Sequence, residues 1–157
     1  MTARPALPLL RAAHPVPAFA DTVLSVLLAA SMDMGTRTSI TLFGAVFSGQ
    51  FGVGWTNDLV DRERDGRVGR SDKPLATGAI SVSLVSSAVG VAGAVSVLTS
   101  LLCGLAAGLL HLLAVGAALA YNVGLKSNWL SWLPDLLAFG ALPAVVGLAR
   151  DPAALPP

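Results

Sequence analysis

Charge is what this sequence has least of. Only 12% of its 157 residues are charged, against 54% hydrophobic, whereas soluble domains carry about a quarter charged residues. A disordered segment needs more charge than this and fewer apolar residues. The single cysteine, Cys103, cannot close an internal disulfide, which excludes a disulfide-stapled secreted domain. A net charge of +1 gives no electrostatic basis for nucleic-acid binding. Acids run out early as well, since only Asp135 and Asp151 follow Asp72.

What is there is long apolar runs. A helical span needs about 20 residues, and five such runs can be marked, at residues 16–32, 36–56, 79–102, 105–125 and 131–149. They are apolar all round, without the polar stripe of a surface helix. In lipid the backbone must satisfy its own hydrogen bonds, so these runs are expected to be helices. The expected fold is therefore all-α, a polytopic transmembrane bundle of about five spans in one domain, 1–157. Met32-Asp33-Met34 makes a poor signal-peptidase site, so the first run reads as a span.

Basic residues near the span ends set an orientation. With the N-terminus inside, Arg4, Arg11, Arg62, Arg64, Arg67, Arg70, Lys73 and Lys126 are cytoplasmic, and only Arg37 and Arg150 lie on the other side. An integral, multi-pass protein of the cell membrane with its N-terminus in the cytoplasm follows.

Ten of the nineteen charged residues fall between Asp58 and Lys73. If the second span continues as a helix beyond the membrane surface, residues advance by about 100° each. With Asn57 at zero, Asp61, Asp65 and Asp58 stand at about 40°, 80° and 100°, and Gln50 two turns earlier at about 20°. One face thus gathers two amides and three carboxylates. Carboxylates stacked at this spacing repel one another, and a divalent cation removes that cost. Mg²⁺ takes one or two protein carboxylates and completes its shell with water and substrate phosphates. The five downstream bases could bind the remaining phosphate oxygens. The alternative is that these acids and bases simply pair with each other and with lipid headgroups.

Asn57-Asp58-x-x-Asp61-x-x-x-Asp65 resembles the first aspartate-rich motif of the UbiA-type intramembrane prenyltransferases. The stretch Gly69-Arg70-Ser71-Asp72-Lys73-Pro74-Leu75-Ala76-Thr77-Gly78 resembles the loop that follows it there. Tyr121-Asn122-Val123-Gly124-Leu125-Lys126 resembles a Tyr–Lys element at the end of the fourth span. The resemblance implies Mg²⁺ as cofactor, held by Asp61 and Asp65 with Asp58 in support. It also implies support from Asn57, a polyprenyl diphosphate donor reached by Lys126, and a cavity lined by Tyr121. Arg70 and Lys73, from the downstream bases, and Gln50, from the amide and carboxylate face, complete the candidate substrate-binding residues. The acceptor would be an aromatic or related hydrophobic molecule. No residue can be named as the base that removes the final proton.

Two details depart from the family's pattern: Lys73 stands where Arg often precedes the loop proline, and the Tyr-to-Lys spacing is five. A larger departure is that the family's nine spans include a second aspartate-rich motif, which nothing here matches. The expectation is thus the N-terminal half of a prenyltransferase, with little transfer activity alone. A non-catalytic membrane subunit or degenerate transferase is the alternative. A CDP-alcohol phosphotransferase fits less well, because Arg62 stands where that pattern needs an acid. Gly49-x-x-Gly52-x-Gly54 lies within an apolar span and reads as a close-packing face. His111 is expected to be a buried, satisfied imidazole.

Overall fold

The computed structural model describes residues 6–129 and 131–149; Arg4, Arg150 and Asp151 lie outside them, as does the side chain of Asp135. Among the described residues all regular structure is helical. The helices are α1 (Ala6–Ala12), α2 (Pro15–Ser31), α3 (Thr36–Arg67), α4 (Val82–Leu102), α5 (Leu105–Val123) and α6 (Trp132–Leu148), with a 3₁₀ turn at Leu125–Ser127.

Each of the five expected spans has its helix, but their capacities differ. By length and composition α4 and α5 can each cross a membrane, and α1 with α2 makes a third candidate if that pair, bent by 71°, acts as one broken span. The helices α2 and α6 have 17 residues each, about 25 Å of rise against a hydrocarbon core of about 30 Å. The long α3 is diluted by Thr36, Thr38, Ser39, Thr41, Ser48 and Gln50, several of which satisfy their hydroxyls on the preceding turn. It does continue beyond the apolar run, through the whole acidic stretch to Arg67.

The helix ends follow local chemistry. Pro15 opens α2 at a position where its missing N–H costs nothing. Before it, His14 sits in the left-handed region at φ 52°, which produces the break from α1. Gly69, at φ 71°, ends α3 in the usual glycine position. Ser81 Oγ accepts from the Leu84 amide at 3.2 Å and caps α4.

Helix α3 is central, packed against α2, α4 and α5, with α6 lying on α5 and α2. One apolar cluster, around Ala29, Leu42, Ala107, Val145 and Val146, holds the end of the bundle away from the acidic stretch. A second, of Ala12, Leu75, Ile80 and Val85, ties α1 and the loop after α3 together. Outward-facing Leu98, Leu105, Leu113 and Phe139 are exposed, as suits a lipid-facing surface. The glycine face of α3 is a packing face. A Cβ on Gly49 would press on Val115 and His111, and one on Gly54 would collide with the Ala13 carbonyl. Trp55 Nε1 donates to the Leu9 carbonyl at 2.9 Å, so α1 and its hinge are docked on α3 from both sides.

Candidate functional site

The acidic end of α3 forms one wall of a polar cavity of about 510 Å³. Seven of the nine residues singled out in the sequence line it: Asn57, Asp61, Asp65, Arg70, Lys73, Tyr121 and Lys126. Helix α3 contributes the first three and Arg64, the following loop contributes Arg70 and Lys73, and the end of α5 with its 3₁₀ turn contributes Tyr121, Lys126 and Ser127. Four basic side chains and two carboxylates line the cavity. Two of those bases, Lys73 and Arg70, are paired with Asp58 and Asp72 outside it. The lining thus offers several charged donors suited to a phosphate-bearing anion.

Each carboxylate is already engaged. Lys126 Nζ donates to Asp61 Oδ1 at 2.6 Å and lies 3.5 Å from Asn57 Oδ1. Arg64 Nη2 donates to Asp61 Oδ2 at 3.2 Å and stands 3.8 Å from Asp65 Oδ1. On the rim, Arg70 makes a two-pronged contact with Asp72, both bonds 2.8 Å. The hydrogen bonds from Arg70 draw the exposed Asp72 carboxyl down to about 2.

Asp58 takes a different place from its neighbours. It does not line the cavity but sits behind it, 2% exposed. Lys73 Nζ donates to its Oδ1 at 2.6 Å, and His14 Nε2 lies 2.8 Å from the same oxygen and 2.9 Å from Lys73 Nζ. Its Oδ2 is buried without a hydrogen bond. Burial alone raises the Asp58 carboxyl, but the hydrogen bonds and charges of His14 and Lys73 outweigh it and hold the group below its ordinary value. Lys73, expected at the substrate, thus borders the cavity while paired with Asp58.

The sequence reading missed His14. Its signal was the His14-Pro15 pair at the start of the first run, a helix start whose preceding residue is pushed out of the helical region. Gln50 lies deeper, lining two further cavities. One, of about 220 Å³, is bordered by Pro17, Val53, Ala118, Tyr121, Ala138 and Phe139 and shares His14, Asn57 and Tyr121 with the polar cavity. His111 is buried, as expected, and bonded through Nδ1 to Ser100 Oγ at 2.8 Å, which satisfies one of its two ring nitrogens.

Among the described residues no three acidic, histidine or cysteine side chains converge closely enough to form a complete metal cage. The donor set still suits a hard cation that draws only one or two carboxylates from the protein and the rest from phosphate and water. Asp61 and Asp65, one turn apart at the cavity wall, are the two carboxylates that could supply such a pair.

Comparison with known proteins gives a consistent result. The profile of the UbiA prenyltransferase family matches residues 18–150. Protoheme IX farnesyltransferase 2 of Natronomonas pharaonis is 36% identical over 138 residues, covering 84% of this chain and 31% of that protein. A solved structure described as digeranylgeranylglyceryl phosphate synthase in membranes superposes with a TM-score of 0.78 at 18% identity. That superposition covers 92% of this chain and 52% of the other, so the chain spans about half the length of its structural neighbour and less of the farnesyltransferase.

Proposed function

The chain belongs to the UbiA prenyltransferase family, and from that premise we propose that it binds a polyprenyl diphosphate and serves prenyl transfer to an aromatic or related acceptor inside the membrane. The observation that carries the reading is the junction of two unlike cavities. A cation-rich polar one holds Asp61, Asp65 and Lys126, and an apolar one beside it shares His14, Asn57 and Tyr121.

The division of labour follows from the chemistry of an allylic diphosphate. When the C–O bond breaks, negative charge grows on the leaving diphosphate. Lys126, Arg64 and Arg70 stand where they can offset it, with Lys73 at the border held by Asp58. Lys126 is oriented for this by Asp61 and Asn57. Mg²⁺ bound by Asp61 and Asp65 would supply further positive charge to the diphosphate oxygens. The carbon left behind is an allylic cation that water would quench, so it belongs in the apolar cavity, where an aromatic face such as Tyr121 favours a cation. These 157 residues hold one aspartate-rich face, so the chain supplies carboxylates from one side of the diphosphate.

Purified chain in liposomes should crosslink to a photoreactive prenyl diphosphate, and inorganic diphosphate with Mg²⁺ should compete. Crosslinking that diphosphate does not affect would count against the reading. The basic residues around the aspartate-rich face support a cytoplasmic location for it. In oriented vesicles, cysteine introduced at Ser127 should label only from the cytoplasmic side, and cysteine at Thr36 only from the other. The reverse pattern would invert the orientation.

One observation favours a second reading. Asp58 and Asp61 are both held by short ion pairs, an arrangement that a non-catalytic membrane subunit would also show. That reading predicts that replacing Asp58, Asp61 and Asp65 together leaves the cellular role of the protein intact.

A further inference from the structure

Below the apolar cavity lies a small polar recess at membrane depth that the reading above leaves unused. It has a volume of about 40 Å³ and shares Gln50, Val53, Ala118, Ala138 and Phe139 with the 220 Å³ cavity. Its polar side chains are Asp21, Gln50 and His111. Gln50 is two helical turns, about 10 Å, below Asn57 along α3. The three cavities therefore form a series, from cation-rich mouth to apolar middle to polar floor.

The floor is made of acceptors. Gln50 Nε2 donates to Asp21 Oδ2 at 2.7 Å, and among the described residues that is the one hydrogen bond Asp21 takes. Gln50 Oε1 takes none among them. Ser100 Oγ donates its proton to the Ser96 carbonyl at 2.5 Å. It must therefore accept from His111 Nδ1–H across their 2.8 Å contact. In the neutral ring this leaves His111 Nε2 as a lone-pair acceptor. Among the described residues no Lys or Arg lines the recess, and the second amide proton of Gln50 is the one donor to spare. A carboxylate and two further acceptors beside an apolar room suit a ligand that brings a donor.

Resting on the prenyltransferase reading, we propose that this recess selects the acceptor: Asp21 and Gln50 bind the hydroxyl of a neutral, hydroxyl-bearing ring and exclude carboxylate-bearing ones. The volumes agree. An apolar cavity of about 150 Å³ already binds benzene, so the middle cavity takes a ring while the recess takes its polar substituent. The ring then lies between Asp21 and the cation-rich mouth, where the allylic carbon is released. An anionic substituent would meet the Asp21 carboxylate with no cation to offset it.

Binding of two ring probes to purified chain in lipid nanodiscs tests this by ¹⁹F NMR: 3-(trifluoromethyl)phenol, neutral at pH 7, and 3-(trifluoromethyl)benzoate. Wild type should bind the phenol at least about tenfold more tightly, the worth of one charge-assisted hydrogen bond. Asp21→Leu should lose that margin. Asp21→Asn, which keeps the shape, should raise benzoate affinity. Circular dichroism checks that both variants fold, and Asp21→Asn keeps the test decisive if Asp21→Leu does not. Equal binding of both probes by wild type, binding of neither, or phenol binding indifferent to Asp21 overturns the proposal and leaves the middle cavity to the donor's prenyl tail. Binding of a polyprenyl thiolodiphosphate, measured in parallel, separates the two readings. Its failure removes the prenyl donor but leaves the probe result standing, whereas its success with indifferent probes removes only the role of Asp21.

Discussion

Asp58 shows how residue chemistry and position part company. It belongs to the same helical face as Asp61 and Asp65, yet its neighbours are a lysine from the following loop and a histidine from the hinge before α2. Its work is therefore positional: it neutralises Lys73 behind the cavity wall and fixes His14 at the junction of the two cavities. Removing one partner of a buried pair leaves the other uncompensated, at a cost of about 3–5 kcal/mol. Asp58→Asn should accordingly lower the thermal midpoint of the purified protein markedly at pH 7. Because the folded carboxyl titrates below its ordinary value of 3.8, the stabilisation is complete above that value and is lost as pH falls through the lower folded one. The gap in midpoint between wild type and Asp58→Asn should thus hold from pH 7 to pH 5 and close only below 3.8. A gap that closes between pH 7 and pH 5 would contradict the assignment.

At the scale of elements, α3 does most of the positioning. The docked hinge of α1 and α2 depends on Gly54, where the Ala13 carbonyl occupies the space of a side chain. Gly54→Val should force the hinge away, destabilise the protein by about 1–3 kcal/mol and expose Trp55, read as a red shift in its fluorescence. An unshifted spectrum with unchanged stability would count against the close approach. The helical continuation of α3 was legible in the sequence, because a period of 3.6 residues gathers Asn57, Asp61 and Asp65 on one side whatever the rest of the chain does. The destination of Asp58 was not, because its partners lie 15 and 44 residues away and helical angles carry no information on where a loop returns. Helix α1 was hidden for a related reason. Its seven residues are too few for a period to show, and the left-handed conformation of His14 that separates it from α2 leaves no periodic pattern. The 71° bend between them was therefore not legible beyond the His14-Pro15 pair.

The whole molecule is a graded passage built on a lipid-facing bundle. Composition announced the bundle, and the concentration of charge between Asp58 and Lys73 announced its polar mouth. The depth of the passage was less legible, since Asp21 and His111 stand alone in their apolar helices and meet only when α2, α3 and α5 pack around the glycine face of α3. The central claim is that the mouth recognises a polyprenyl diphosphate with Mg²⁺ through Asp61 and Asp65. Calorimetric titration of a non-hydrolysable polyprenyl diphosphate analogue into purified chain in nanodiscs tests it most directly. Binding in Mg²⁺ should weaken by about a hundredfold or more in EDTA or in Asp61→Asn, and the Asp21→Leu variant should bind as wild type does. Affinity that neither EDTA nor Asp61→Asn alters would contradict the account.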